Sequence, residues 1–446
     1  MEGLIMAAQL LLGLSLLVGL HELGHLLTAK MFGMRVEQYY IGFPPKIVGF
    51  RYGETEYNLG AIPLGGFVKI SGMVDESLDT KKLSEEPQPW EFRAKPAWQR
   101  LIVMMGGIIV NVITGIVIFI FLTYRYGDTY VPREAVMQNG IVAYKLGQEI
   151  GLQTGDKVQE VNGEPYEKFS DLYSPNVLLG TNGYYTISRD GKTVDVPIPR
   201  GFLDKFSDKD AANQYIDVRR PFTVGGLVEG SNAEEGGLRE GDRVLQINGE
   251  SVQYYDEFES VVKANAGGTV TLEVVSEKQG VESVVGTPRT LNVDVDEEGK
   301  LGFFAQWEVP IARTEYNLAE SLPKGAEAAF DVVWINIRAL GKIFTGEVSA
   351  SKSISGPIGI AQIFGGEWDW VRFWRITGLL SMVLAFMNFL PIPALDGGHV
   401  VFLTYEMVSG RKPSDKFLEG AQKVGMVLLL SLMVFAVFND LFKVLF

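Results

Sequence analysis

The sequence predicts a polytopic α-helical membrane protein with four transmembrane helices, a membrane-associated β-region after the first helix and two small tandem modules. Three observations support this class. Four apolar runs are each long enough to cross a bilayer, which takes about 20 residues. A motif at residues 151–164 recurs 86 residues later. The chain is also 47% hydrophobic, with a mean hydropathy of +0.12, as expected when part of a protein lies in lipid.

The four predicted spans run from about Leu4 to Met31, Leu101 to Tyr124, Trp374 to Leu390 and Val424 to Phe446. The first run is not read as a secretory signal peptide, because it lacks a basic n-region and a small-residue cleavage site. Aromatic residues that favour a membrane interface precede the third span. The third span meets Pro391 and Pro393 at its end, and these prolines must interrupt the helix there.

The composition of each stretch predicts a division of the chain. The expected segments are 1–33 (first span), 34–74 (membrane-associated β-region), 75–96 (cytoplasmic loop), 97–125 (second span), 126–219 and 220–308 (the two modules), 309–372 (periplasmic helical segment), 373–410 (third span) and 411–446 (fourth span).

The charge of the protein lies in the middle of the chain. Residues 125–372 contain 24 Lys and Arg against 38 Asp and Glu, a balance of −14, which equals the net charge of the whole protein. An acidic segment argues against a nucleic-acid partner, which requires a basic surface. The chain has no cysteine, so it forms no disulfides and offers no thiolate metal ligands.

An H-E-x-x-H motif lies inside the first apolar run. Residues four apart share one face of a helix, so His21 and His25 can present two imidazoles to one metal ion, with Glu22 beside them as a base. Such a motif can arise by chance with solvated histidines. In a membrane span, however, an ionisable residue costs about 2.5–3.5 kcal/mol and is by default functional.

The depth of the polar residues predicts which of them meet. Basic residues concentrate in 30–100 and 409–423, which the positive-inside rule assigns to the cytoplasm, with both termini and the modules on the other side. His21 lies 17 residues after Leu4, about 25 Å across the bilayer at 1.5 Å per residue. Asp396 follows Trp374 by 22 residues in a span of the same direction. Both should therefore lie near the cytoplasmic boundary.

A hydrolytic zinc site takes three protein ligands and one water, commonly two histidines and a carboxylate. Asp396 is the natural third ligand of a Zn²⁺ ion, although it could instead only cap the helix that restarts at Gly397. His399 could replace Asp396, donate to an oxyanion or support a ligand; the last role is preferred, because two histidines and a carboxylate complete the site. Asn111 in the second span is either functional or only an interhelical hydrogen-bonding residue.

The repeated motif predicts two modules of one kind. Gly151–Glu164 returns as Gly237–Glu250, and each copy contains a Gly-Asp turn, an alternating strand and an Asn-Gly turn. The pair resembles tandem PDZ domains. Such modules could bind a carboxyl terminus or exclude bulky ectodomains, and their acidic composition favours exclusion.

The motifs together resemble the site-2 protease family of intramembrane zinc metalloproteases, peptidase M50, and within it the bacterial regulator-of-sigma-E protease branch. The likeness rests on H-E-L-G-H, on the Asn-x-x-Pro-x-Pro-x-x-Asp-Gly-Gly stretch at 388–398 and on the modules between them. It implies an inner-membrane enzyme with extracytoplasmic modules, which cleaves single-pass membrane proteins such as a trimmed anti-sigma factor. The residues that it implicates are His21, His25 and Asp396 as zinc ligands, Glu22 as base, and Asn388 and Pro391 near the substrate.

The β-region suggests how a helical substrate is opened. Cleavage requires an extended peptide, and an exposed strand at Gly66, Phe67 and Val68 could capture one by β-addition. The alternative is a hairpin that only lies on the membrane surface among lipids.

Three other functions are compatible with parts of the sequence. An inactive PDZ membrane scaffold would leave Glu22 and Asp396 without a role. Metal transport would require polar residues along a whole path across the bilayer. A protease of signal-peptide remnants or peptide pheromones would use the same site, and the sequence leaves this substrate choice and the oligomeric state open.

Overall fold

The computed structural model describes residues 2–73, 86–180, 182–207, 214–276, 286–346 and 355–445. The chain forms two compact units, Met1–Asp128 with Glu315–Phe446, and Thr129–Thr314. Parts of several predicted segments lie outside the described residues, chiefly of the loop 75–96, of the modules 126–219 and 220–308 and of the segment 309–372.

The first unit begins with the helix that carries H-E-x-x-H. Helix α1 (Glu2–Met31) is about 45 Å long at 1.5 Å per residue, enough to cross a bilayer. Glu2 in its first turn and Lys30 in its last turn complement the helix dipole. The second long helix, α2 (Ala97–Tyr126), follows a short 3₁₀ turn at Phe92–Ala94.

Between these helices the chain forms the predicted strands, β1 (Val36–Tyr52) and β2 (Thr55–Ile70). Residues 38–41 of β1 pair with two parts of β2, with residues 56–59 on one side and with residues 66–69 on the other. The far half of β1, residues 46–52, closes a hairpin on residues 55–60. Among the described residues no further strand pairs with 66–70, so this stretch is an edge.

The far half of the hairpin carries large apolar side chains on its surface. The exposed ones are Ile47, Val48, Phe50, Tyr52 and Leu59. The near half is fixed to α1, because the Tyr39 hydroxyl donates to the Gly19 carbonyl oxygen at 2.7 Å. Burial, followed by the charge of Glu22, raises the pKa of Tyr39 to about 12, so the hydroxyl keeps its proton as a donor.

The second unit contains the repeat. Its elements, in chain order, are β3 (Asp128–Tyr130), α3 (Arg133–Asn139), β4 (Ile141–Ala143), α4 (Lys145–Glu149), β5 (Lys157–Val161), α5 (Pro175–Leu178), β6 (Tyr184–Arg189), β7 (Lys192–Pro197), β8 (Ile216–Val218), β9 (Phe222–Leu227), α6 (Asn232–Glu235), β10 (Asp242–Ile247), β11 (Glu250–Ser251), α7 (Tyr255–Ala264), β12 (Thr269–Ser276), β13 (Arg289–Asp294), β14 (Phe303–Trp307) and β15 (Ala312–Thr314). The sheet β5-β6-β7 corresponds to β10-β12-β13, and each copy has its own apolar core.

Both copies bury the aspartate of the Gly-Asp turn against an arginine. Asp156 is 1% exposed and binds Arg189, whereas Asp242 is fully buried and binds Arg289. Each carboxylate also accepts a hydrogen bond from the backbone N–H three residues earlier, at 2.7 Å and 2.9 Å respectively. The buried charges are thus paired and hydrogen bonded, as burial requires.

Within the described residues, the chain returns to the first unit through five helices. These are α8 (Leu318–Phe344), α9 (Pro357–Phe364), α10 (Trp370–Phe389), α11 (Asp396–Ser409) and α12 (Asp415–Leu445). Helix α8 begins with a capping box between Asn317 and Glu320. The buried carboxylate of Asp440 on α12 accepts hydrogen bonds from the amides of Gly356 and Gly359 at the start of α9.

Helix α2 lies at the centre of the first unit and packs against α1, α8, α10 and α11. Glycines permit the close approaches: a Cβ at Gly106 would lie 2.6 Å from the Gly24 carbonyl oxygen, and one at Gly325 would meet the backbone of Ile120. Within the described residues, four helices are long and apolar enough to cross a membrane, at Glu2–Met31, Ala97–Tyr126, Trp370–Phe389 and Lys416–Phe442.

The buried pair in the second copy generates a stability prediction. Replacing Arg289 by alanine leaves the Asp242 charge buried without its cation, which costs about 3 kcal/mol. Hydrogen exchange of the full chain should then show β10 and β12 opening about 100-fold more often. The control is Arg243→Ala, whose partly exposed pair with Glu308 should contribute at most about 1 kcal/mol. Equal effects of the two substitutions would contradict the prediction.

Candidate metal centre

Helix α1 presents the two histidines of the motif on one buried face. His21 is 8% exposed and His25 is 6% exposed, and their rings meet edge to face with centroids 4.8 Å apart. Their Nε2 atoms point towards each other at a separation of 3.2 Å. The four-residue spacing of the motif therefore brings both imidazoles to one point.

Asp396 completes a triangle of ligand atoms. Its Oδ2 lies 3.2 Å from His21 Nε2 and 3.4 Å from His25 Nε2. Zinc bonds of about 2.0–2.1 Å at tetrahedral angles place neighbouring ligand atoms about 3.3 Å apart. The triangle has these dimensions. Among the described residues, these three side chains form a group that could hold a metal ion.

The buried Oδ2 of Asp396 has no hydrogen-bond donor with acceptable geometry among the described residues. A buried carboxylate oxygen normally has a partner, and a metal ion would supply one here. Two neutral imidazoles and one carboxylate are also the ligand set that zinc takes in hydrolytic sites. The residues present therefore fit a zinc ion.

The chain delivers Asp396 through a broken helix. Helix α10 ends at Phe389, and Pro391 prevents its continuation. Ala394 then adopts φ = 84°, a backbone conformation that residues other than glycine rarely adopt, before α11 begins at Asp396. Gly397 and Gly398 lie so close to the carbonyl groups of the preceding turn that a Cβ at either would collide with them.

A buried ion pair holds the other end of α11. Arg100 at the start of α2 donates to Glu406 at 2.5 Å, and the two side chains are 8% and 18% exposed. Because Glu406 and Asp396 belong to the same helix, this pair ties the aspartate-bearing helix to α2. Removing either partner would leave a buried charge uncompensated.

Helix α2 supports both imidazoles from behind. His25 Nδ1 donates to the Val103 carbonyl oxygen at 2.8 Å, and His21 Nδ1 lies 3.1 Å from Asn111 Nδ2. Gly107, midway between these residues, leaves room for the rings: a Cβ there would lie 2.5 Å from both His21 Cε1 and His25 Nε2. Val103, Gly107 and Asn111 are spaced four apart and form one row along the helix.

A cavity of about 610 Å³ opens in front of the triangle. Glu22 lines it beside both histidines, with its carboxylate near the backbone N–H of Val68. The edge of β2 forms another part of the wall through residues 65–70. Gly66 permits this approach, since a Cβ there would lie 2.6 Å from the Tyr40 carbonyl oxygen and 3.3 Å from Glu22 Cγ.

The other residues singled out in the sequence differ in their positions. Asn388 lines the cavity, with Nδ2 3.4 Å from His21 Nε2, and Gly66, Phe67 and Val68 line it as well. Pro391 is exposed and is not among the lining residues, so its contribution here is the helix break. His399 lines this cavity and a neighbouring one of about 140 Å³.

Two contributors were missed by the sequence-based prediction. The Val103 carbonyl is a backbone group and leaves no trace in residue type. Gly107 was not singled out, although its position against two imidazoles makes it part of the candidate centre. The spacing of four residues between Gly107 and Asn111 was the available signal.

Gly107 supplies a prediction about metal binding. Gly107→Ala would push a methyl group into both imidazoles, and overpacking of about 1–3 kcal/mol should weaken zinc binding on the order of 10-fold to 100-fold. The control is Gly115→Ala on the same helix, where the new Cβ would meet the flexible Met382 side chain. Zinc titration of the purified full chain checks this expectation, and equal affinities in the two variants would contradict it.

Comparison with known proteins shows to which family the chain belongs. The family model for Peptidase family M50 matches residues 9–432. A protein of Neisseria meningitidis serogroup A that carries the name of a zinc metalloprotease is 28% identical over 448 residues, which cover 96% of this chain and 97% of that protein. The regulator of sigma E protease of Haemophilus influenzae is 28% identical over 463 residues, 97% of this chain and 98% of its own. The protein of the same name from Salmonella typhimurium strain LT2 is 28% identical over 458 residues, 97% of both chains. With its four candidate spans, the chain therefore belongs to Peptidase family M50, as a multi-pass intramembrane zinc metalloprotease.

Proposed function

We propose that His21, His25 and Asp396 are the zinc ligands and that Glu22 is the general base of peptide-bond hydrolysis. The observation that carries this assignment is the triangle of ligand atoms, with sides of 3.2, 3.2 and 3.4 Å. Glu22 stands beside the triangle and is not a corner of it, as a base that must face the attacking water requires.

Bound zinc would acidify a water molecule and polarise the scissile carbonyl. Glu22 takes the proton of the attacking water and transfers it to the nitrogen of the leaving amine. The Glu22 carboxylate lies at the cavity wall near the Val68 N–H before this transfer. Asn388, 3.4 Å from His21 Nε2, offers a side-chain amide to a substrate in the same cavity.

Separate substitutions distinguish the base from the ligands. Glu22→Gln should retain stoichiometric zinc while cleavage of a transmembrane substrate falls about 10²-fold to 10⁴-fold, because only the proton transfer is lost. Asp396→Ala should lose both zinc and activity, because one corner of the triangle is removed. Metal analysis and a gel cleavage assay on the same samples provide the measurements. An active Glu22→Gln enzyme, or an Asp396→Ala enzyme with normal zinc content, would refute the assignment.

The proposed substrates are transmembrane segments of single-pass membrane proteins, of the anti-sigma factor type. Two relatives carry the name regulator of sigma E protease, and this chain aligns with each of them over nearly its whole length. Signal-peptide remnants and peptide pheromones are the competing substrates, since they offer similar apolar segments. The cavity, with a strand edge beside Glu22, accommodates an extended peptide from either source.

The proposed orientation places the centre near the cytoplasmic face of the inner membrane and both termini outside the cytoplasm. Lys30 and Arg35 follow the first span, whereas Lys95 and Arg100 flank the start of the second, and the positive-inside rule assigns this connection to the cytoplasm. The modules, which we propose to be PDZ-like, then lie outside the cytoplasm, where they would exclude bulky ectodomains. The exposed apolar side chains of the β1–β2 hairpin support contact of its far half with lipid.

We further propose that the edge at residues 66–70 holds the substrate as an added β-strand. Because the chain has no cysteine, single introduced cysteines can be cross-linked without background. In a Glu22→Gln background, Lys69→Cys should cross-link to a substrate with cysteines placed along its cleaved segment. The reactive positions should alternate with a period of two, since successive strand residues face opposite sides.

The matched control is Lys46→Cys, which lies in the far half of the hairpin and not in the cavity wall. Cross-links of equal yield from both positions, or a period of 3.6 residues along the substrate, would rule out strand addition.

A further inference from the structure

Asn111 contacts the metal centre through its side chain. It is fully buried on α2, with Nδ2 3.1 Å from His21 Nδ1. Its other polar side-chain atom, Oδ1, is buried and has no hydrogen-bond partner among the described residues. A buried amide with an unsatisfied oxygen is costly, so this arrangement requires an explanation.

The chemistry of a ligating imidazole decides which amide atom should face His21. His21 Nε2 points into the triangle, so its lone pair is directed at the metal. In a neutral imidazole the proton then resides on Nδ1, which is a hydrogen-bond donor. An amide NH₂ is also a donor and cannot accept this proton. A half-turn of the amide about its Cβ–Cγ bond exchanges the two atoms and brings the unsatisfied oxygen to Nδ1.

We propose that Asn111 is a positioning residue of the metal centre, whose amide oxygen accepts the Nδ1 proton of His21 and fixes the Nε2-ligating tautomer. This inference rests on the proposed zinc ligands. The Val103 carbonyl oxygen performs the same task for His25 at 2.8 Å. Both imidazoles are thus oriented by α2, from residues two helical turns apart.

The arrangement gives Asn111 an effect on metal affinity that packing alone would not have. An acceptor at Nδ1 locks the ring plane and increases the basicity of Nε2, and loss of such a partner costs on the order of 10-fold to 100-fold in affinity. Helix packing at the same junction has a separate contact, in which the Ser381 hydroxyl of α10 donates to the Asn111 backbone oxygen at 2.8 Å. Packing and positioning can therefore be separated by mutation.

The experiment measures zinc dissociation constants of the purified full chain by competition with a chromophoric chelator. Asn111→Leu, similar in size but without an acceptor, should weaken zinc binding 10-fold to 100-fold. Asn111→Asp, which keeps an acceptor oxygen, should remain within a few-fold of the parent protein. Ser381→Ala, the packing control, should leave the affinity unchanged. Cobalt-substituted protein should show an altered visible spectrum in Asn111→Leu alone.

Two results would overturn the positioning role: Asn111→Leu with parental affinity, or Asn111→Asp as weak as Asn111→Leu. His21→Ala separates this outcome from failure of the proposed centre, because undiminished zinc binding there would refute the ligand assignment itself.

A measurement on the unmutated protein covers the case in which Asn111→Leu does not fold. The chain contains three histidines, so the spectrum of ¹⁵N-histidine-labelled, zinc-loaded protein has few signals. His21 should show a protonated Nδ1 with the downfield shift of a hydrogen-bonded imidazole. Ligation through Nδ1, or an Nδ1 proton without this shift, would contradict the proposal.

Discussion

The proposed metal centre depends on how closely the backbones of α1 and α2 approach each other. A Cβ on Gly24 would collide with the backbone at Gly106, and one on Gly106 would lie 2.6 Å from the Gly24 carbonyl oxygen. Small residues allow such contacts between membrane helices, where van der Waals packing replaces the hydrophobic effect as the driving force. At this separation the Val103 carbonyl reaches His25 and the Asn111 amide reaches His21. A wider crossing would leave both rings free to rotate.

Asp396, the proposed third ligand, reaches the histidines under a different constraint. A continuous helix would carry Asp396 past the histidines along its own axis, so the chain is interrupted by Pro391 and turned at Ala394, which has φ = 84°. Such a conformation costs roughly 1–2 kcal/mol in a residue other than glycine. The buried Arg100–Glu406 pair and the close packing of Gly397 and Gly398 stabilise α11 and offset this cost.

Much of the centre could be predicted from the sequence, because its side chains follow simple periodic rules. The shared face of His21 and His25 follows from helical spacing, and their proximity to Asp396 was predicted by counting residues into the membrane. In the structure, Asp396 Oδ2 lies 3.2 Å from His21 Nε2. The supports could not be predicted in the same way. A backbone carbonyl such as that of Val103 carries no sequence signal. A glycine can indicate that another group approaches the backbone closely, but the sequence does not identify that group. The double pairing of residues 38–41 depends on the path of the whole hairpin, which alternation of residue types does not encode.

The buried aspartates of the second unit bear on how internal duplications are recognised. Asp156 and Asp242 occupy equivalent places in the two copies, yet their arginines follow at different distances along the chain, 33 and 47 residues on. The anion belongs to a short motif that alignment detects, whereas the cation is defined only by where it stands in space. Arg189 ends β6, whereas Arg289 begins β13, and the second copy has Ser276 at the place of Arg189, where its hydroxyl donates to Asp242 at 2.6 Å. The two copies therefore keep a paired, buried carboxylate while taking the cation from different strands, so an alignment by residue type would not match the two arginines.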